Sequence, residues 1–142
     1  MTSGTPDYMQ TVRQNYGGAE HAAGFATAVA NNTVSLFTVT GKGVIYGGVV
    51  YIDYATTQAI GLIFLYVDGV AIGWDYFSEL LKYNITVPSS YPFYILKYDN
   101  INFEYCVALS KGITFESSFE MKYTEGNGGT PFVEYDVQYA LL

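Results

Sequence analysis

One histidine, His21, and one cysteine, Cys106, set the limits of what chemistry this chain can do. A Ser-His-Asp arrangement would have to take His21 as its base, and His21 lies in a stretch rich in glycine and alanine that offers it no rigid support. A second histidine and a second thiol are both missing, so one chain cannot build a multi-His or thiol-rich metal site or an intramolecular disulfide. Cys106 has no histidine near it in sequence to lower its pKa and reads as a small packed residue. Glycoside hydrolysis needs only two carboxylates, and 13 acidic residues are available. Yet Glu104, Glu116, Glu120, Glu134 and Asp136 alternate with other polar groups as a solvated strand face does, while Asp53, Asp68, Asp75 and Asp99 fall at strand ends and turns, where carboxylates bend the backbone. No loop has clustered Asp-x-Asp-x-Asp spacing for calcium, and Gly41-Lys42-Gly43 lacks the remainder of a phosphate loop. The expectation is a protein that is not an enzyme and uses neither metal nor cofactor.

Aromatic residues are what remains. They make up 18% of the chain, with 15 Tyr, 9 Phe and one Trp, against only 13% charged residues. Such a composition calls for extended burial. Trp74, Tyr76, Tyr83, Tyr91 and Tyr94 gather around a loop-rich middle and suit either a subunit contact or a sugar-stacking surface. Tyr8, Met9, Val12, Tyr16, Phe25 and Val29 are spaced apolar anchors with few charges between them, the pattern of a segment that orders on a partner. The net charge of −7 argues against nucleic acid, whose binding depends on clustered cations. The longest apolar stretch, Ala59 to Val67, is too short to span a membrane. Residues 1–6 lack the basic start and apolar centre of a secretory signal, so synthesis in the cytoplasm without membrane attachment is expected.

The elements that hold these residues divide into an N-terminal arm, residues 1–33, and a β-sandwich, residues 34–142. In the arm, Asp7 to Asn15 and Glu20 to Ala30 are expected as short helices, the second weakened by Gly24. From Val34 the pattern becomes that of strands: Val34 to Thr40, Val44 to Tyr54, Ile60 to Val67, Val70 to Gly73, Phe93 to Tyr98 and Ile101 to Leu109. Alternation with period 2 is strongest in 113–124, where Ile113, Phe115, Ser117, Phe119, Met121 and Tyr123 share a face, and in 132–142, where Val133, Tyr135, Val137, Tyr139 and Leu141 do. Asp68-Gly69 is a two-residue hairpin signal, and Gly47-Gly48 inside a strand marks a bulge or a close backbone approach. Asp75 to Leu81 is the helix candidate of this half. About eight short strands with turn residues between them predict an all-β antiparallel sandwich of jelly-roll or Greek-key type. Ile60 to Val67 is apolar on both faces, so its outer face needs cover from the arm, the helix or another subunit.

Val39-Thr40-Gly41-Lys42-Gly43-Val44-Ile45-Tyr46-Gly47-Gly48, Tyr66-Val67-Asp68-Gly69, Ile113-Thr114-Phe115-Glu116-Ser117-Ser118-Phe119 and the preceding arm together resemble small β-sandwich virion proteins of tailed bacteriophages, especially the decoration (cement) proteins that bind outside the capsid shell. The resemblance implies a homo-oligomer, typically a trimer, located on the virion and bound to the major capsid protein or another virion subunit through its arm. The rival expectation is a carbohydrate- or receptor-binding module that stacks sugars on the Trp74 and tyrosine group.

Overall fold

The computed structural model describes residues 19–53, 61–89, 91–110, 112–126 and 128–142, without the side chains of residues 74–78. Tyr8, Met9, Val12, Tyr16 and the expected Asp7–Asn15 helix lie outside the described residues. The elements are β1 (Glu20–Thr27), β2 (Thr33–Thr40), β3 (Gly43–Asp53), β4 (Gly61–Val67), β5 (Val70–Tyr76), α1 (Phe77–Lys82), β6 (Phe93–Asp99), β7 (Glu104–Leu109), β8 (Ile113–Phe115), β9 (Ser118–Glu125) and β10 (Phe132–Leu141). Sheet A has the order β1-β10-β3-β7-β6, with β8 also pairing β3, and sheet B has the order β2-β9-β4-β5. All pairings are antiparallel. The first strand lies beside the last in one sheet, and the second beside the last but one in the other. That is the jelly-roll order, and it bears out the all-β sandwich.

Residues 20–27 correct the expectation of a helix at Glu20 to Ala30. They form β1, paired along its whole length with β10 from Glu20↔Tyr139 to Thr27↔Phe132. Alanine favours helix locally, but the ladder to β10, formed along the whole of this edge strand, outweighs that preference. Gly24 fits the strand because a Cβ there would lie 2.7 Å from the Tyr135 hydroxyl, so the tyrosine ring occupies the space a side chain would need. The sheet thus already includes part of the segment expected as an arm.

The core fills the space between the sheets. Ile45, Val50 and Ile52 of β3, Ile63 and Leu65 of β4, Tyr105 and Val107 of β7, Phe119, Met121 and Tyr123 of β9, and Val133 and Val137 of β10 are buried. Phe37 of sheet B reaches across to Tyr135 and Tyr139 of β10, with ring centroids 6.1 and 5.4 Å apart. Alternation therefore placed the inner face of β10 correctly, although Leu141 at the strand end is exposed.

Three further expectations change. The run 113–124 is two strands rather than one: β8 pairs with β3 in sheet A, and β9 pairs with β2 and β4 in sheet B. The break falls at Glu116-Ser117, where the Asp68 carboxylate accepts bonds from the amides of Glu116, Ser117 and Ser118 and from the Ser117 hydroxyl. Ile101 is exposed and lies outside the strand expected from Ile101 to Leu109, because β7 begins at Glu104 and residues 100–103 turn around the Asp99 carboxylate, which accepts from the amides of Ile101 and Asn102. Asp75 belongs to β5, and the helix begins at Phe77.

Candidate functional site

The aromatic residues singled out by sequence are distributed over several surfaces. Trp74 and Tyr76 of β5 stand opposite Phe64 and Leu62 of β4. Tyr83 is exposed just past α1, with Lys82 Nζ 5.8 Å from its ring centroid. Tyr91 packs edge-on against buried Phe93 at 5.5 Å, and its carbonyl accepts the Ser110 hydroxyl, so it serves the core. Tyr94 stands opposite Ala108 and lines a depression on the outer face of sheet A. Of the apolar anchors, Val29 is exposed in the turn after β1. Phe25 is 71% exposed on β1, and its ring lies against Phe132 at 5.2 Å.

The outer face of sheet A carries two adjoining depressions. Register places Ala23, Asp136, Val49, Ala108 and Tyr94 in one row across β1, β10, β3, β7 and β6. On one side of this row is a depression of about 590 Å³ between Phe25 and Tyr51, with Ala23 and Val49 on its floor and Glu134 and Asp136 beside it. A second, of about 430 Å³, is lined by Tyr46, Gly47, Tyr94, Leu96, Ala108 and Gln138. Both have Val49 and Asp136 in their lining, so the two depressions adjoin along this row, and together they make up the trough.

Two of its wall residues are delivered by bulges, which re-aim side chains. Gln138 pairs with Gly47 and Tyr139 with Ile45, which leaves Tyr46 as the extra residue of β3. Ile95 pairs with Val107 and Lys97 with Cys106, which leaves Leu96 as the extra residue of β6 and 55% exposed.

Charge around the trough is mostly negative. His21 Nε2 and Asp136 Oδ1 are 2.7 Å apart. Further along the face, Lys97 Nζ and Glu104 Oε1 are paired at 2.5 Å, which raises the lysine pKa and lowers that of the glutamate. Burial, the charges of Asp53 and Glu104, a hydrogen bond with Glu104, and Glu134 together push the Tyr51 hydroxyl up to about 12. It therefore remains a neutral donor. Cys106, opposite Tyr51, has its thiol pKa raised by burial, which disfavours a nucleophilic thiolate. Among the described residues no group of three or more His, Cys, Asp and Glu is placed to hold a metal ion.

Sequence reasoning did not find Val49, Tyr51, Ala108 or Gln138 as a site. Their meeting depends on cross-strand register, and Gly47-Gly48 was its one signal.

No protein-family model and no curated protein matches this sequence. Among solved structures, the chain is similar to one of infectious bursal disease virus, Gx strain, at 12% identity and a TM-score of 0.43, over 87% of this chain and 31% of that one. It is similar to a chain of the cyanophage Pam1 capsid asymmetric unit at 9% identity and a TM-score of 0.44, over 87% of this chain and 82% of that one. It also aligns with the catalytic domain of a GH87 α-1,3-glucanase in complex with nigerose at 15% identity and a TM-score of 0.36, over 84% of this chain and 22% of that one. This chain thus spans under a third of the bursal virus chain and of the glucanase chain.

Proposed function

We propose that the protein is a non-enzymatic structural subunit of a virion, an oligomeric capsid decoration protein that binds shell subunits through its N-terminal segment and through apolar faces of its sandwich. The observation that carries this reading is the outer side of sheet B. There Leu62, Phe64 and Tyr66 of β4 are only partly covered, Phe64 and Tyr66 stack at 6.0 Å, and the neighbouring edge strand β5 exposes Val70 and Ile72. Lys122 Nζ lies over the Tyr66 ring at 5.3 Å and marks where this apolar patch meets the polar β2–β9 half. An apolar patch running to a strand edge that is unpaired among the described residues is a natural subunit contact and an aggregation hazard if left open. Closed symmetry would bury it. The motif resemblance to phage decoration proteins points the same way.

The test is the light-scattering mass of the full chain on a sizing column, compared with a chain trimmed to begin at Ala19. A closed oligomer, with residues 1–18 required for attachment to a shell, is the expected result. A monomer in both forms that attaches to no shell overturns the reading.

A further inference from the structure

Gly47 and Gly48 are adjacent in β3 and differ in why they are glycine. A Cβ on Gly48 would lie 2.6 Å from the Asp136 carbonyl oxygen and 3.1 Å from Val137 Cα, so the close passage of β10 requires a glycine there. A Cβ on Gly47 would meet nothing within 4 Å, and its φ is not in the left-handed region. Neither packing nor backbone conformation asks for glycine at Gly47, and glycine inside a strand weakens it. What its missing side chain does is keep the floor of the trough open. Beside it stand the two bulges, and the extra residue of each, Tyr46 and Leu96, lines the wall.

The trough crosses the five strands of that row, β1, β10, β3, β7 and β6, a span of roughly 19 Å at the usual strand separation. The backbone groups of β10, β3 and β7 are engaged in their ladders, so an extended peptide would add at an edge strand rather than lie across this face. A molecule lying here must be held by side chains. Those on offer are the rings of Phe25 and Tyr94 at the two ends and, in the middle, the Gln138 amide and Asp136, whose Oδ1 is paired with His21. Rings that present C–H faces and carry hydroxyls match that arrangement. Glu134, Asp136, Asp53 and Glu104 on the same outer face, in a chain of net charge −7, disfavour an anionic ligand.

We propose that this trough binds a neutral linear oligosaccharide of roughly four pyranose rings, a length set by the strand spacing, with outer rings on Phe25 and Tyr94 and inner hydroxyls bonded to Asp136 and Gln138. The proposal goes beyond the virion reading and does not depend on it, since it concerns sheet A alone.

The experiment is an amide-shift titration of the full ¹⁵N-labelled chain with neutral hexaoses of the β-1,4-gluco, β-1,3-gluco, α-1,4-gluco, β-1,4-manno and β-1,4-xylo series. At least one is expected to move amides of β10, β3 and β7 together. Gly47→Leu, which fills the floor, and Phe25→Ala should each weaken that binding by about tenfold or more, and Tyr83→Ala should leave it unchanged. Gly47→Leu should melt no lower than the parent chain, because a Cβ there meets nothing within 4 Å and the rest of the side chain enters the open depression. A flat response to the whole panel, shifts confined to other surfaces, or undiminished binding by Gly47→Leu overturns the proposal. Oligomer mass is a separate readout, so failure here and failure of the virion reading are distinguishable.

Discussion

Asp68 shows how one side chain can hold two distant pieces of backbone. It has φ 54° and is followed by Gly69 at φ 81°, the left-handed pair that a tight type I′ hairpin requires. Its carboxylate faces the amides of Glu116, Ser117 and Ser118, and these bonds hold its pKa down at about 2, against an ordinary value of 3.8. A carboxylate with a depressed folded-state pKa stabilises the fold above its unfolded pKa and loses that contribution as pH falls through the folded one. Asp68→Asn should therefore lower the melting temperature at neutral pH, and its deficit should shrink as pH drops from about 4 towards 2, followed by thermal melts across that range. Glu125 does a comparable job in the interior. It is 1% exposed and accepts from the amides of Asn31 and Gly129, tying the β1–β2 turn to the β9–β10 loop. Glu125→Leu should cost about 2 kcal/mol in urea denaturation by stranding those donors, and Glu125→Gln, which keeps one acceptor, less.

At the level of elements, β1 is the most instructive strand. A chain cut to begin at Asn32 removes it and bares the edge of β10, so that chain should aggregate or give a poorly dispersed amide spectrum, whereas one beginning at Ala19 should fold. The period-2 alternation of β9 and β10 and the Asp68-Gly69 hairpin were legible because each is written within a few consecutive residues. β1 was not, since His21-Ala22-Ala23-Gly24-Phe25-Ala26 has too few large side chains to show a period and its strand character comes from pairing with β10. The corner between β8 and β9 was hidden for a similar reason: alternation continues through Ser117, and the group that breaks the strand is Asp68, 49 residues away. The trough is still further from the sequence. Its row takes one residue from each of five strands, and only their register brings these together.

Taken whole, the molecule keeps its two outer faces apart in character. The β4–β5 half of sheet B and the β5 edge are apolar and suited to subunit contact, beside a polar β2–β9 half that carries Glu120 and Lys122, while sheet A presents an open trough with acidic and amide groups. If the β5 edge is the contact, Ile72→Lys should shift the light-scattering mass from oligomer to monomer while leaving the sandwich folded by circular dichroism, because Ile72 is the extra residue of a bulge and 39% exposed. The pairing of the first strand with the last has a mechanical side as well. Glu20 at the start of β1 faces Tyr139 near the end of β10, so the flanking segments leave sheet A at the same end. Tension drawn between those two segments opens the β1–β10 ladder as a zipper, one rung at a time and at low force. Tension drawn along β1 against the rest of the sheet loads all its rungs in shear, so the direction in which the N-terminal segment is pulled decides how firmly it is anchored.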